Sequence, residues 1–545
     1  MWLQTYSPIL GSVTLSAIVA LLPIAFMFIL LGGFRKPASL SSFVGLLSAL
    51  VLAVTVWHMP LHLAVASTLM GMAVAVMPLL WTLVNAVWLI NLLIDSGKFN
   101  VIKESIGYFT LDRRMQALLI GYGFIGLLEG LVAIGSPVAI GTPMLVGFGF
   151  PPVTAAIIAL LAFSHPGVWG PMGLPIIVLH SVTTGLDLDG LGAMIGRQVP
   201  FYTLLTAPAV VVAVSGWRGL REVWPITLAT GFAFAVSTFV ASNYMTLYTA
   251  GIIGALAGML TTVVILSRWE PKNVWQFPGE QVAVEASHAS TQLSWSQIVQ
   301  AWSPVGLLIL IMGLVNGTPL RDNLASTSTL SATWPVLHNV VWKTAPIVAD
   351  PTPYAAVYSY PLLVVPGTLA MIAGILSVAV LQIPPARAAR VYANTVRQLS
   401  AAIKTTLNIL GLGYLMNYAG LSLTIGIAFS AAGFWFPLAA VSLGLLGNAV
   451  AGTNTASNAL FGNLVAVAGA QAGVPEVFAA GSLAAGGSMG KAIAPQSLAL
   501  ATGAGGIPGQ EGDLLRRLVG LVLLFTMAFG ALAMVQYYLL PWMIP

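Results

Sequence analysis

The chain has 545 residues, 58% of them hydrophobic and only 6% charged, where a soluble domain carries about 25% charged residues. That composition excludes a water-soluble globular enzyme, a disordered protein and a nucleic-acid binder. The 20 Lys and Arg set against 15 Asp and Glu give a net charge of +5, too thinly spread for a phosphate-reading surface. The absence of cysteine removes disulfides, thiolate nucleophiles and cysteine-held metals. At about 20 residues per crossing, the length predicts an all-α polytopic membrane protein of about 12–14 transmembrane helices, surrounded by membrane lipid, with no cofactor and no metal.

In chain order, residues 1–8 lack Lys and Arg, and the apolar run 9–31 is too long for a signal-peptide core. The first span is therefore expected to remain in the protein. Arg35 and Lys36 follow it, while the turn at 58–62 has neither Lys nor Arg. Lys98, Lys103, Arg113 and Arg114 cluster after the long apolar segment that Pro78 divides, and Arg218 and Arg221 follow a span near 201–214. Arg268 and Lys272 follow a span near 252–266; Arg387, Arg390, Arg397 and Lys404 form the next basic group, and Arg516 and Arg517 precede the last span. The connections near Asn243 and the tail PWMIP carry no positive charge. Basic and neutral loops alternate, so the positive-inside rule places both termini outside. The exception is 316–360, a long connection expected outside that holds Arg321, Lys343 and Asp350.

Residues 268–300 are polar and lie at mid-chain, either as a plain linker or as an amphipathic surface helix. They divide an N-terminal membrane repeat, 1–267, from a C-terminal one, 301–545. Gly135-Ser136 and Met172-Gly173 in the first half match Gly452-Thr453 and Met489-Gly490 in the second, both at an offset of 317 (452 − 135 and 489 − 172). Ser136 and Thr142 interrupt one apolar run; Thr453, Asn454, Thr455, Ser457 and Asn458 interrupt the other. Paired interruptions in two halves are the pattern of a transporter site. A helix broken in hydrocarbon leaves backbone groups that cost several kcal/mol each unless protein, water or ligand satisfies them. Half-helix N-termini suit an anion such as a carboxylate, although close packing through small residues is the plainer alternative.

Charges are scarce enough to take singly. Glu129 is the only ionised side chain between Arg114 and Asp187, and Lys491 the only one between Glu476 and Glu511. An ionisable group at membrane depth costs roughly 2.5–3.5 kcal/mol, so function is the default expectation. Glu129 is the candidate proton carrier. Lys491 either attracts a substrate carboxylate or neutralises Glu129 or Asp350. Arg197, beside Gln198 at a span boundary, reads as a snorkelling anchor.

Several ordered, collinear motifs then resemble a known family: LLEGLVAIGSPVAI (127–140), GRQVPF (196–201), GWRGLREVWP (216–225), TPYAAV (352–357), NYAGLS (417–422), NTASNALF (454–461), GKAIAPQSLALA (490–501) and the terminal PWMIP. Nearly end to end, the chain resembles the L-lactate permease family, which includes lactate and glycolate permeases. The resemblance implies proton-coupled uptake of a short 2-hydroxymonocarboxylate across a bacterial or archaeal cytoplasmic membrane. It also implies two inverted halves, hairpins that enter the membrane part-way, and an elevator-like movement. Gly135, Ser136, Thr453, Asn454, Thr455, Ser457 and Lys491 are then the expected carboxylate and hydroxyl ligands, and Glu129, Asp350 and His165 the proton-coupling groups.

The chain departs from that family's pattern in places. Many members have Gly-Phe-Gly-Ala-Pro where this chain has Ala133-Ile134-Gly135-Ser136-Pro137. Many have Gly-Ser-Asp-Thr where it has Gly452-Thr453-Asn454-Thr455, so Asn454 replaces a carboxylate, and coupling falls to Glu129 or Asp350. His165 stands where relatives often have a neutral polar residue, either titrating or packed as a neutral ring. Two other functions fit the residues. One is a sodium-coupled carrier of another organic anion. The other is an intramembrane hydrolase using Ser136 with His165 or His180, in which Pro137 removes an N–H that an oxyanion hole could have used.

Overall fold

The computed structural model describes every residue except 35, 108–109, 133–134, 184, 278–292 and 317. Among the described residues, eight helices are long and apolar enough to cross a membrane, or nine when Pro385–Gln398 and Ser400–Ala419, bent by 53°, form one span. Three of the eight are broken internally, at Met77, Gly216 and Gly433. Four further apolar helices have only 10–17 residues, and at 1.5 Å per residue these fall short of a roughly 30 Å hydrocarbon layer. Among the described residues, whole helices thus account for eight or nine of the expected twelve to fourteen crossings, and the remaining apolar helices are too short to cross singly. The protein is a multi-pass helical membrane protein.

The elements that build the centre are, in order, α1 (Ala38–Thr55), α2 (Trp81–Asp95), α3 (Gly126–Leu131), α4 (Ser136–Gly147), α5 (Pro152–Ser164) and α6 (Leu174–Val182) from the first half. From the second half come α7 (Ser400–Ala419), α8 (Phe436–Ala451), α9 (Asn454–Gln471), α10 (Glu476–Gly487) and α11 (Pro495–Ala504). A wide-turned segment, Ala117–Ile125, runs straight into α3. The chain leaves α3, passes the left-handed Gly135 (φ 77°), and returns as α4 packed against the incoming arm. Gly141 makes that approach possible, because a Cβ there would collide with Ile125. The second half repeats the device. Helix α8 ends at left-handed Gly452 (φ 73°), and α9 runs back beside it, with Gly447 facing Ser457 and Phe461. Glycine suits both tips because φ > 0 costs any other residue about 1–2 kcal/mol.

Each hairpin is followed by a turn, a helix, a break and a further helix: α5, residues 165–173 and α6 in the first half, then α10, residues 488–494 and α11 in the second. The feet of the hairpins are fastened differently. At the first, the Arg113 guanidinium lies 5.9 Å from the Phe150 ring, and residues 273–277 strap across both. Trp275 N–H donates to Asp112 Oδ2 at 3.0 Å, Arg113 N–H donates to the Trp275 carbonyl at 3.0 Å, and Phe277 meets Phe150 edge-on at 5.4 Å. At the second, Tyr538 and Tyr537 donate to the carbonyls of Phe434 and Gly473, each at 3.0 Å, and Gln471 donates to Pro346 O at 3.2 Å.

The connection 316–360 and its surroundings hold short strands that an all-helical expectation did not include. β1 (Trp2–Leu3) pairs in parallel with β3 (Val341–Lys343), which pairs antiparallel with β4 (Thr352–Pro353). β2 (Thr329–Thr333) pairs antiparallel with β5 (Val357–Pro361). The Lys343 ammonium sits 4.3 Å from the Tyr354 ring, and burial pushes its pKa down. Gln4 donates to the carbonyls of Asn417 and Tyr418 at 2.9 and 2.8 Å, which satisfies acceptors left open by the end of α7. Of the expected linker, 273–277 form the strap, Trp295 already begins the helix Trp295–Asn316, and 278–292 lie outside the described residues.

Candidate functional site

Glu129 sits on α3, the incoming arm of the first hairpin, and is fully buried. Lys491 sits in the broken stretch Ser488–Ile493 and is 3% exposed. These two residues, the lone charges of their apolar stretches, meet as an ion pair between Lys491 Nζ and Glu129 Oε1. The Phe163 ring on α5 covers the ammonium at 3.8 Å from its centroid. The second oxygen of Glu129 has no hydrogen-bond partner among the described residues.

The pair faces a cavity of about 260 Å³. One wall carries the first break (Gly167, Gly170, Pro171, Leu174, Pro175), the second hairpin tip (Thr453, Asn454, Thr455, Ala456) and Gln496 at the start of α11. The lining also takes in Pro37–Ser39 at the start of α1, Leu83 on α2, and Ala401, Ala402, Thr405, Thr406, Ile409 and Leu410 on α7. Thr453 caps α9, its hydroxyl accepting from Ala456 N–H at 3.2 Å. The remaining first-turn N–H groups of α9 have no intrahelical acceptor, and that helix end favours negative charge. The Asn454 side chain is already committed. It accepts from Asn448, which also donates to Gly487 O at 2.6 Å, and its own amide donates to Ala484 O at 3.3 Å. Asn454 thus ties the second hairpin to α10, leaving its backbone to the cavity.

The structure brings together five of the expected residues, Glu129, Lys491, Thr453, Asn454 and Thr455. Others lie elsewhere. Gly135 packs against Leu500 of α11, and neither it nor Ser136 lines the cavity. Ser457 is 1% exposed and turned toward Gly447 inside the second hairpin. His165 is buried, stacked on Tyr122 at 4.6 Å and edge-on to Phe234 at 4.9 Å, behind the cavity wall. Asp350 is exposed in the connection between the strands. His180, the other partner considered for a serine nucleophile, is exposed, with Nδ1 2.8 Å from Leu186 O. Sequence reasoning missed Phe163, Gln496 and the whole α7 wall. The only available signal for the last was the hydroxyl pair Thr405-Thr406 opening an apolar run after a basic group.

The chain is 35% identical to the L-lactate permease of Salmonella typhimurium over 552 residues, covering 100% of each chain. It is also 35% identical to the glycolate permease GlcA of Escherichia coli, over 98% of each. Among solved structures, the Alcanivorax borkumensis YdaH transporter aligns over 79% of this chain and 86% of its own, with 14% identity and a TM-score of 0.35. The relatives are permeases, not enzymes, and the sequence profile described as L-lactate permease matches residues 16–540. The chain belongs to the L-lactate permease family.

Proposed function

We propose that this protein carries lactate or glycolate across the membrane together with one proton, and that the Lys491–Glu129 pair enforces the coupling. The supporting observation is that this buried pair sits on the cavity wall beside the second hairpin tip. An arriving carboxylate competes with Glu129 for Lys491. Once displaced, Glu129 is a buried carboxylate without a counter-ion, and breaking a buried pair costs about 3–5 kcal/mol. Protonation of Glu129 removes that cost.

Charge then decides which states can move. The empty site holds a cation and an anion, net zero. The loaded site holds Lys491, the substrate anion and neutral Glu129, again net zero. Substrate without a proton leaves one negative charge, and a proton without substrate leaves one positive charge. Only the empty and the doubly loaded forms are free of uncompensated charge, so transport is obligatorily one to one. A neutral cargo escapes the membrane potential, about 2.3 kcal/mol per charge per 100 mV, and is driven by about 1.4 kcal/mol per unit of pH gradient.

The cavity wall at Pro37–Ser39 follows basic Lys36, and the wall at Ala401–Thr405 spans basic Lys404. On the positive-inside reading the cavity faces the cytoplasm. The matching order of pieces in the two halves supports two repeats, 1–267 and 301–545, joined through 268–300. The first hairpin's feet lie at the basic strap, the second's at the C-terminal tyrosines, which supports their inversion. The substrate's carboxylate lies at Lys491 and the α9 N-terminus, with Thr453, Thr455 and the α7 threonines available to its hydroxyl.

The test is Glu129→Gln in proteoliposomes. Its loaded form is neutral without a proton, so exchange of labelled for unlabelled lactate persists. Its empty form is charged, so pH-driven accumulation falls at least about tenfold. Full pH-driven accumulation by this variant sinks the proposal. Replacing sodium with choline is expected to leave uptake unchanged, which separates proton from sodium coupling.

A further inference from the structure

The Lys491 side chain lies in a slot made by one turn of backbone. Helix α5 presents Phe163, 2% exposed, with its ring centroid 3.8 Å from Nζ. Four residues on, after the turn closed by Gly167 N–H to Ser164 O at 3.0 Å, comes Gly167. A Cβ added there would lie 2.8 Å from Lys491 Cδ and 3.2 Å from Nζ. The ammonium is thus bounded by an aromatic face, a bare stretch of backbone and Glu129, with the cavity on its open side.

This arrangement bears on the moment of exchange. Glu129 and the substrate carboxylate are alternating partners, so neither holds the ammonium throughout the cycle. The Phe163 ring is buried, and the negative face of an aromatic ring attracts a desolvated cation. We propose that Phe163 and Gly167 are positioning residues that keep the Lys491 ammonium at the cavity wall while its counter-ion changes from Glu129 to substrate. Phe163 supplies the constant partner. Gly167 supplies the room for the lysine stem to lie flat. The inference rests on the reading of Lys491 as the cation that binds the carboxylate.

The experiment is a lactate counterflow series on the full chain in proteoliposomes, reading KM and maximal rate separately. Phe163→Leu keeps an apolar side chain and removes the ring face; Phe163→Tyr keeps the face. Phe163→Leu is expected to raise KM about tenfold with a maximal rate within about twofold. Phe163→Tyr is expected to restore KM to within about twofold, and Gly167→Ala to raise KM as Phe163→Leu does. A ring that served only as packing would lower the amount of folded protein and the maximal rate, without the KM change or its recovery in Tyr. Equal KM in the Leu and Tyr variants overturns the inference. If Phe163→Leu yields no folded protein, Gly167→Ala decides, and an unchanged KM there is equally fatal. Lys491→Gln separates the two levels: lactate binding unaffected by it removes the proposed function itself, whereas binding lost with it but indifferent to Phe163 and Gly167 removes only the slot.

Discussion

Two buried charge clusters do different work, and the difference lies in what surrounds each carboxylate. Arg114 is fully buried yet saturated: Asp112 takes its Nε and Nη2, while Glu222 and the carbonyls of Gly219 and Asn273 take the remaining donors. No donor is left for a ligand, so this cluster is structural. Asp112→Ala strips the main counter-charge from a buried guanidinium and is expected to cost about 3 kcal/mol, read as a lower melting temperature in detergent with the substrate KM unchanged. Among the described residues one oxygen of Glu129 has no partner, and the residue borders a cavity, as the proposed exchange of partners requires. Asp112 stands beside Arg113 and Arg114 in a basic loop and Glu129 alone in an apolar stretch, and what each carboxylate touches separates the anchor from the proposed carrier. Gly452 makes a further test at this scale. With φ 73° and Gln496 against its α-carbon, an alanine there must strain the backbone and displace the glutamine. Gly452→Ala is expected to cost about 1–2 kcal/mol from the backbone conformation alone and to depress transport, measured as initial lactate uptake per folded protein.

At the scale of elements, α7 lines the cavity with its first half and packs against α9 further along, where Gly413 lies against the Ala459 carbonyl. Its Thr405 and Ile409 line the cavity, whereas Tyr414 and Asn417, further along, bond to the end of α6 and to α9. Tyr414 donates to Ser181 O at 2.7 Å, Asn417 donates to Val182 O at 3.1 Å, and Asn463 of α9 donates to the Asn417 side-chain oxygen at 3.1 Å. These bonds lie along α7 beyond the cavity-lining Thr405 and Ile409, and on the proposed orientation they hold the outer end closed. Each buried hydrogen bond contributes about 1 kcal/mol, so Tyr414→Phe with Asn417→Ala, which together remove all three bonds, take away about 3 kcal/mol and shift the ratio of the two proposed facing states by about two orders of magnitude. The native chain has no cysteine, so Thr455→Cys gives a single reporter. Its labelling by an impermeant thiol reagent from outside is expected to rise in the double variant, and unchanged labelling would show that these bonds do not hold the outer end closed. The strap at 273–277 is an element that composition disguised: a polar stretch reads as a linker, yet its Trp275 and Phe277 clasp the first hairpin's feet.

Taken as a whole molecule, the chain was legible in proportion to how local each cause is. Insertion into lipid depends on the apolar content of a segment, so spans, basic loops and membrane class followed from sequence alone, and the ordered motifs carried the family. The cost of a charge in hydrocarbon is also local, which is why Glu129 and Lys491 stood out singly. Gly135 and Gly452 were visible as interruptions because a broken helix must leave a polar or glycine trace. What sequence could not supply was pairing. A helix in lipid is apolar on its outer face and on its packed face alike, so periodicity does not say which neighbour it meets. Glu129 and Lys491 are 362 residues apart, and nothing between them announces their contact. Ser136 and Thr453 occupy matching places in the two halves, yet only Thr453 borders the cavity, because the tips meet different surroundings. Asp350 carried the right chemistry but lies exposed among short strands, and His165 is walled in by Tyr122 and Phe234. Sequence by itself settled the solvent each segment prefers, since transfer free energy is a property of the segment. Tertiary structure alone decided which scarce polar groups share one cavity, since contact between distant residues depends on how the packed helices bring them together.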